Sequence, residues 1–111
     1  MRGWVALVPL LLLGCDDGQS LGQPPVARIQ APAYCDLGAV ITLDARGSAD
    51  PDGDIILFRF IISDGSPAKE VVEPTVDHVC RVEGLIGVGL EVEDAKGNVG
   101  RAQTTIAVRP P

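Results

Sequence analysis

Leu43-Asp44-Ala45-Arg46-Gly47-Ser48-Ala49-Asp50-Pro51-Asp52-Gly53 is the stretch on which the fold of this 111-residue chain turns. Its last four residues combine a proline that presets φ, aspartates that bond their own backbone and a glycine suited to positive φ, which predicts a tight reversal. Upstream, Ala39 to Ala45 alternates apolar and polar residues. Downstream, Ile55 to Ser63 does the same. Two extended segments flanking a reversal predict β-strands, with Ile41 and Leu43 on one and Ile56, Phe58, Phe60 and Ile62 on the other turned to a common interior.

The same reading extends along the chain. From Val26 onward no 3.6-residue apolar period is sustained, and short alternating runs bounded by Gly, Pro and Asp recur about every ten residues. The pattern places strands at Val26 to Gln30, Ala39 to Ala45, Ile55 to Ser63, Lys69 to Val72, Val76 to Val82, Leu85 to Asp94 and Arg101 to Val108. An all-β chain of this kind suggests a sandwich. Inward positions in the last two strands are Ile86, Val88, Leu90 and Val92, then Thr104, Ile106 and Val108; Glu91, Glu93, Arg101, Gln103 and Thr105 face out. Ala95-Lys96-Gly97-Asn98 makes the reversal between them, Asp64-Gly65-Ser66-Pro67 closes the third strand, and Glu73-Pro74 prevents a helix before the fifth. The third strand breaks the alternation, because Ile55, Leu57 and Ile61 accompany Arg59 on its outer face. Such a stripe is either covered by a loop or neighbouring side chain, or it is a docking face for a partner.

Ahead of this region, Met1-Arg2 gives a short positive start, Trp4 through Leu13 is an apolar run interrupted only by Pro9, and Gly14-Cys15-Asp16-Asp17 follows. A ten-residue helix rises about 15 Å, half of a ~30 Å hydrocarbon core, so the layout is that of a cleaved secretory signal. Leu12-Leu13-Gly14-Cys15 resembles a bacterial lipobox, which implies cleavage ahead of Cys15 and lipidation of that cysteine, palmitate being one such acyl group. The alternative is an ordinary secretory signal cut elsewhere, with Cys15 a bystander. Two or three acyl chains hold a protein on a membrane where one does so only marginally. Asp16 to Pro25, polar and rich in Gly and Pro, suits a flexible tether of up to ~30 Å. The expected organisation is a signal peptide over 1–14, a lipidated cysteine and tether over 15–25 and a sandwich over 26–109, at the bacterial cell envelope, facing periplasm or exterior.

The opening stretch, followed by Asp64-Gly65, His78, Gly84 and Leu90-Glu91-Val92-Glu93-Asp94-Ala95-Lys96-Gly97, resembles a PKD domain over about residues 26 to 108. The segment ending in Gly-Ser-Ala-Asp-Pro-Asp-Gly carries most of the resemblance. Where the family has a Trp-Asp-Phe-Gly-Asp-Gly run, this chain has Phe60-Ile61-Ile62-Ser63-Asp64-Gly65, and where the family has His-x-Tyr it has His78-Val79-Cys80. The resemblance implies a single immunoglobulin-like, seven-stranded sandwich of surface and secreted proteins, used in protein or carbohydrate contacts or as a spacer, without catalysis of its own. Fold alone does not fix function.

With Cys15 assigned to the lipobox, Cys35 and Cys80 remain as a pair in an oxidising compartment, and a disulfide between them is expected. Two free thiols, or a metal site built from Cys35, Cys80 and His78, are the alternatives; nothing else has a zinc spacing. His78, the one histidine, reads as a structural hydrogen-bonding group at a strand corner. Asp50, Asp52, Asp54 and Asp94, with Asn98, should meet at one end of the sandwich, where hard oxygen ligands suit calcium; turn geometry is the competing reason for those aspartates. No other cofactor is implied.

Nine basic and fifteen acidic residues leave a net charge of -6, which argues against a nucleic-acid partner. No nucleophile has a recognisable catalytic context and no carboxylate pair is evident, so an enzyme is not expected. The leading expectation is a lipid-anchored, non-catalytic binding or spacer module with a protein partner at the envelope. The alternative is a carbohydrate-binding or calcium-stabilised adhesion module, for which the folded part offers only Tyr34, Phe58 and Phe60 as aromatic surfaces.

Overall fold

A computed structural model describes residues 22–111, and it contains the reversal at Asp50 to Gly53, built differently from the expectation. The Gly53 N–H reaches the Asp50 carbonyl at 3.4 Å, and the Asp52 N–H donates to Asp50 Oδ1 at 3.0 Å. A turn closed through the aspartate in this way needs no left-handed residue, and Gly53 does not take the positive φ assigned to it. Gly97, in the second predicted reversal, does, with φ of 88°.

The strands are β1 Tyr34–Asp36, β2 Val40–Asp44, β3 Ile55–Ile62, β4 Lys69–Val71, β5 Thr75–Val79, β6 Gly84–Asp94 and β7 Val99–Arg109. A five-stranded sheet in the order β1-β7-β6-β3-β4 packs on a two-stranded β2-β5 sheet. Neighbours are antiparallel except β1 and β7. Period-two alternation places the core: Ile41 and Leu43 meet Phe58, Phe60, Ile62, Ile86, Val88, Leu90, Val92, Ile106 and Val108, all buried. Leu43, Phe60 and Val92 are wholly excluded from solvent. Each such side chain stabilises the fold by about 1.5 to 3 kcal/mol through burial. Thr104, expected inside, is only half-buried, at the rim of this core.

Three departures from the sequence reading have local causes. Val26 to Gln30 is not a continuous strand; it touches the second sheet at two isolated bridges, Val26 with Ala49 and Gln30 with Asp44. Between them the Arg28 N–H donates to Ser48 Oγ at 2.9 Å, and that hydroxyl donates back to the Arg28 carbonyl at 3.2 Å. A side chain has taken the place of a ladder bond. Tyr34–Asp36 forms a strand that alternation over three residues is too short to reveal, pairing parallel with Ala107–Arg109. In β3 the register shifts between Ile55 and Leu57, which sit opposite Asp94 and Glu93, so Ile56 is an extra residue in a bulge. The bulge reverses the first two side chains: Ile56, expected inside, is exposed, and Ile55, expected on the outer stripe, packs against the core.

The two sheets are tied by three links that reach the chain between the middle of β5 and the residue after it. Cys35 of β1 is disulfide-bonded to Cys80, with Cα atoms 6.8 Å apart. Asp64, in the turn after β3, meets His78. Lys69 of β4 turns inward and its Nζ donates to the Asp77 carbonyl at 2.9 Å.

Candidate interaction face

Outward residues of the five-stranded sheet fall into rows because the strands are in register. One row runs Gln103, Gly89, Ile61 across β7, β6 and β3; the next runs Arg101, Glu91, Arg59, Glu70 across β7, β6, β3 and β4. The second row alternates charge over four strands. Arg59 donates to Glu70 Oε2 and to Glu91 Oε1 at 2.6 Å each, and Arg101 Nε donates to Glu91 Oε2 at 3.0 Å. Glu91, between two guanidinium groups, is held below the usual carboxylate range, by Arg101 first and Arg59 next. Beside the charged row Gly89 leaves a shallow depression walled by Ile61 and Gln103. Of the expected docking stripe, Ile61 is exposed and Leu57 half-buried on this face, while Ile55 has left it through the bulge. The stripe is therefore two aliphatic residues flanking an arginine already paired on both sides.

The charge row was missed by sequence reading. Its signal is present only once register is known, since Arg59, Glu70, Glu91 and Arg101 are spread over 42 residues and become neighbours through strand pairing.

His78 and Asp64 form the second cluster. Their side chains are 7% and 2% exposed, and His78 Nε2 lies 2.7 Å from Asp64 Oδ2. The Ser66 N–H donates to Asp64 Oδ1 at 2.9 Å. Burial raises the Asp64 pKa, but the Ser66 hydroxyl and N–H and the His78 ring outweigh it and bring the group down to about 2. Ser66 Oγ is buried and reaches strict hydrogen-bond geometry with no partner among the described residues. The arrangement fixes an imidazole with a carboxylate inside the sandwich, the structural role expected of His78. A carboxylate held on the histidine and a serine off the line of that contact do not make an activated nucleophile.

Asp50, Asp52, Asp54 and Asp94 do come to one end of the sandwich, around a shallow pocket with Gly53, Ala95 and Lys96. Among the described residues no three His, Cys, Asp or Glu side chains converge to hold a metal ion, so the calcium set and the Cys35, Cys80, His78 set are not assembled. Asp50, Asp52 and Asp94 accept from backbone N–H groups. Asp94 Oδ1 accepts the Lys96 and Asn98 N–H groups at 2.9 Å each, and Oδ2 accepts the Asn98 side-chain amide at 3.1 Å. Burial raises the Asp94 pKa, and the bonds from Asn98 and Lys96 more than offset it, leaving it lowered. Asp52 accepts the Gln23 N–H. Tyr34, the one exposed aromatic among the described residues, has its ring covered by the Arg109 guanidinium, 4.0 Å from the centroid. Cys15 and the signal and tether residues up to 21 lie outside the described residues.

A family model described as PKD domain matches residues 22–108. The chain belongs to the PKD domain family. Family members are typically non-catalytic accessory modules of extracellular proteins. A curated relative, Collagenase ColQ1 of Bacillus cereus (strain Q1), is 33% identical over 94 residues, which cover 85% of this chain and 9% of the collagenase. This PKD chain therefore spans a small fraction of the relative it matches. Among solved structures, the PKD1 domain of the Vibrio cholerae metalloprotease PrtV is 26% identical with a TM-score of 0.63, covering 78% of this chain and 99% of that one. A carbohydrate-binding module of the β-sandwich superfamily is also 26% identical, with a TM-score of 0.75, covering 79% of this chain and 35% of that one. The PKD match extends over nearly all described residues.

Proposed function

We propose that this PKD module works at the bacterial cell envelope as a lipid-anchored, non-catalytic binding or spacer unit, joined through Cys15 and a short tether to a membrane and facing periplasm or exterior. The observation that carries the reading is the extent of the family match, residues 22–108, to a family whose members are typically non-catalytic accessory modules of extracellular proteins. The Cys35–Cys80 disulfide supports a compartment outside the reducing cytoplasm, and the Leu12-Leu13-Gly14-Cys15 run supports acylation. The contact surface is the outer face around Leu57 and Ile61, with a protein as partner. Detergent phase partition of the full chain tests the anchor: the wild type enters the detergent phase and Cys15→Ser does not. Equal partition of both removes the anchor from the account.

The likeness to a carbohydrate-binding module supports a second reading, glycan contact through the same sheet. Tyr34, with its ring occupied by Arg109, is a poor stacking platform. Specific retention of the module on a glycan array would favour this reading over a protein partner.

A further inference from the structure

We propose that copies of this chain join edge to edge through the five-stranded sheet, the β7 edge of one copy pairing antiparallel with the β4 edge of the next and Arg101 meeting Glu70. Both edges are open. Strand β1 covers β7 only from Ala107 to Arg109, and no described backbone group beyond β6 bonds β7 from Val99 to Thr105. The Ala107 N–H donates to the Ala33 carbonyl on the β1 side. By the two-residue period, Arg101, Gln103 and Thr105 also turn their N–H and C=O groups to that side, where no described backbone group pairs with them. At the opposite edge, the Ser63 N–H donates to Gly87, so Arg59 likewise spends its backbone bonds on β6. Glu70, opposite Arg59, then turns its own N–H and C=O outward.

Strand direction and side chains both fit. Along the sheet β7, β6, β3 and β4 alternate in direction, so a copy added in the same orientation sets its β4 antiparallel to β7. With Arg101 opposite Glu70, the charge row runs on across the junction, Glu70, Arg59, Glu91, Arg101 and then Glu70 of the next copy. The same register places half-buried Val99 opposite Val72, which is 73% exposed, and Gln103 opposite Ala68. Symmetric alternatives fit less well: β4 against β4 sets Glu70 against Glu70, and β7 against β7 sets Arg101 against a threonine. Lys69, the side chain that would blunt the β4 edge, is turned inward onto Asp77. A contact between unlike edges is head to tail, so it builds rings or open rows and does not stop at a symmetric pair.

The test uses the full chain in mild detergent, with mass read by light scattering after subtracting the detergent, over a range of concentration. Wild type rises with concentration to two copies or more. Arg101→Glu alone and Glu70→Arg alone remain single, because each homotypic junction opposes like charges. An equimolar mixture of the two variants regains association, since every junction between unlike variants pairs opposite charges, and this recovery also shows that both are folded. A wild type that stays single at all concentrations overturns the proposal. So does association that survives either substitution, or that the mixture does not restore.

Discussion

Replacing Cys35 and Cys80 together with alanine removes the covalent link between the sheets, and the structure sets the size of the effect. The bridge closes a loop with a sequence separation of 45. Loop-closure entropy for that length is about 13 cal/mol/K, or roughly 4 kcal/mol at 25 °C, an upper figure because native strain and residual unfolded-state structure reduce it. A domain of this size is stable by only about 5 to 13 kcal/mol, so the loss is a large share of the total. In urea the unfolding midpoint falls by roughly 2 M for a slope near 2 kcal/mol/M. Reducing the wild type gives the same shift. Location matters as much as magnitude, because β1 is three residues long and lies at a sheet edge. Hydrogen exchange therefore reports early loss of protection at the Leu37 N–H, bonded to the Arg109 carbonyl at 2.7 Å, and at the Ala107 N–H, bonded to Ala33 at 3.0 Å. Amides between β6 and β7 remain protected until global unfolding. A loss under about 1 kcal/mol, or equal loss of protection in β1 and the β6–β7 pair, would refute this reasoning.

Asp64 contributes in a pH window with a defined sign. Its folded pKa of about 2 lies below the ordinary aspartate value of 3.8, so its contribution is fully present above pH 3.8 and is lost as pH falls toward 2. At about 1.36 kcal/mol per unit the contribution is about 2 kcal/mol; urea titrations of wild type and Asp64→Asn should differ by about that much at pH 6 and converge near pH 2. Gly100 sits where a Cβ would run into the backbone carbonyl of Pro25; Gly100→Ala displaces the N-terminal segment and costs about 1 to 3 kcal/mol, read as a lowered thermal midpoint. Phe60→Ala, at a position with no solvent exposure, costs about 3 to 5 kcal/mol by chemical denaturation.

Much of this fold is legible in the sequence because alternation is a local signal. The runs around Ile41, Phe60, Leu90 and Ile106 each name their inner face without reference to the others, and all four side chains are buried. Features that depend on a partner strand are not legible. Ile55-Ile56-Leu57 is aliphatic throughout, so no residue in it marks which one is extra; only the count on β6 opposite makes Ile56 the bulge. Strand β1 exists because the chain crosses from one sheet to the other near Pro32 and meets the β7 edge, which a three-residue segment cannot announce. The site follows the same division. Pairing Cys35 with Cys80 follows from counting cysteines, whereas the Asp64–His78 contact and the row from Glu70 to Arg101 need the register. Asp50 and Asp94 illustrate a third case, in which one residue type serves two chemistries; their carboxylates are engaged in turning the backbone.

Lipid anchoring outside the cytoplasm is read from the intact mass of the membrane-extracted protein, with and without reduction. The expected chain begins at Cys15, carries added acyl mass and gains the mass of two hydrogens on reduction. An unacylated chain cut elsewhere, or a mass unchanged by reduction, would contradict that reading.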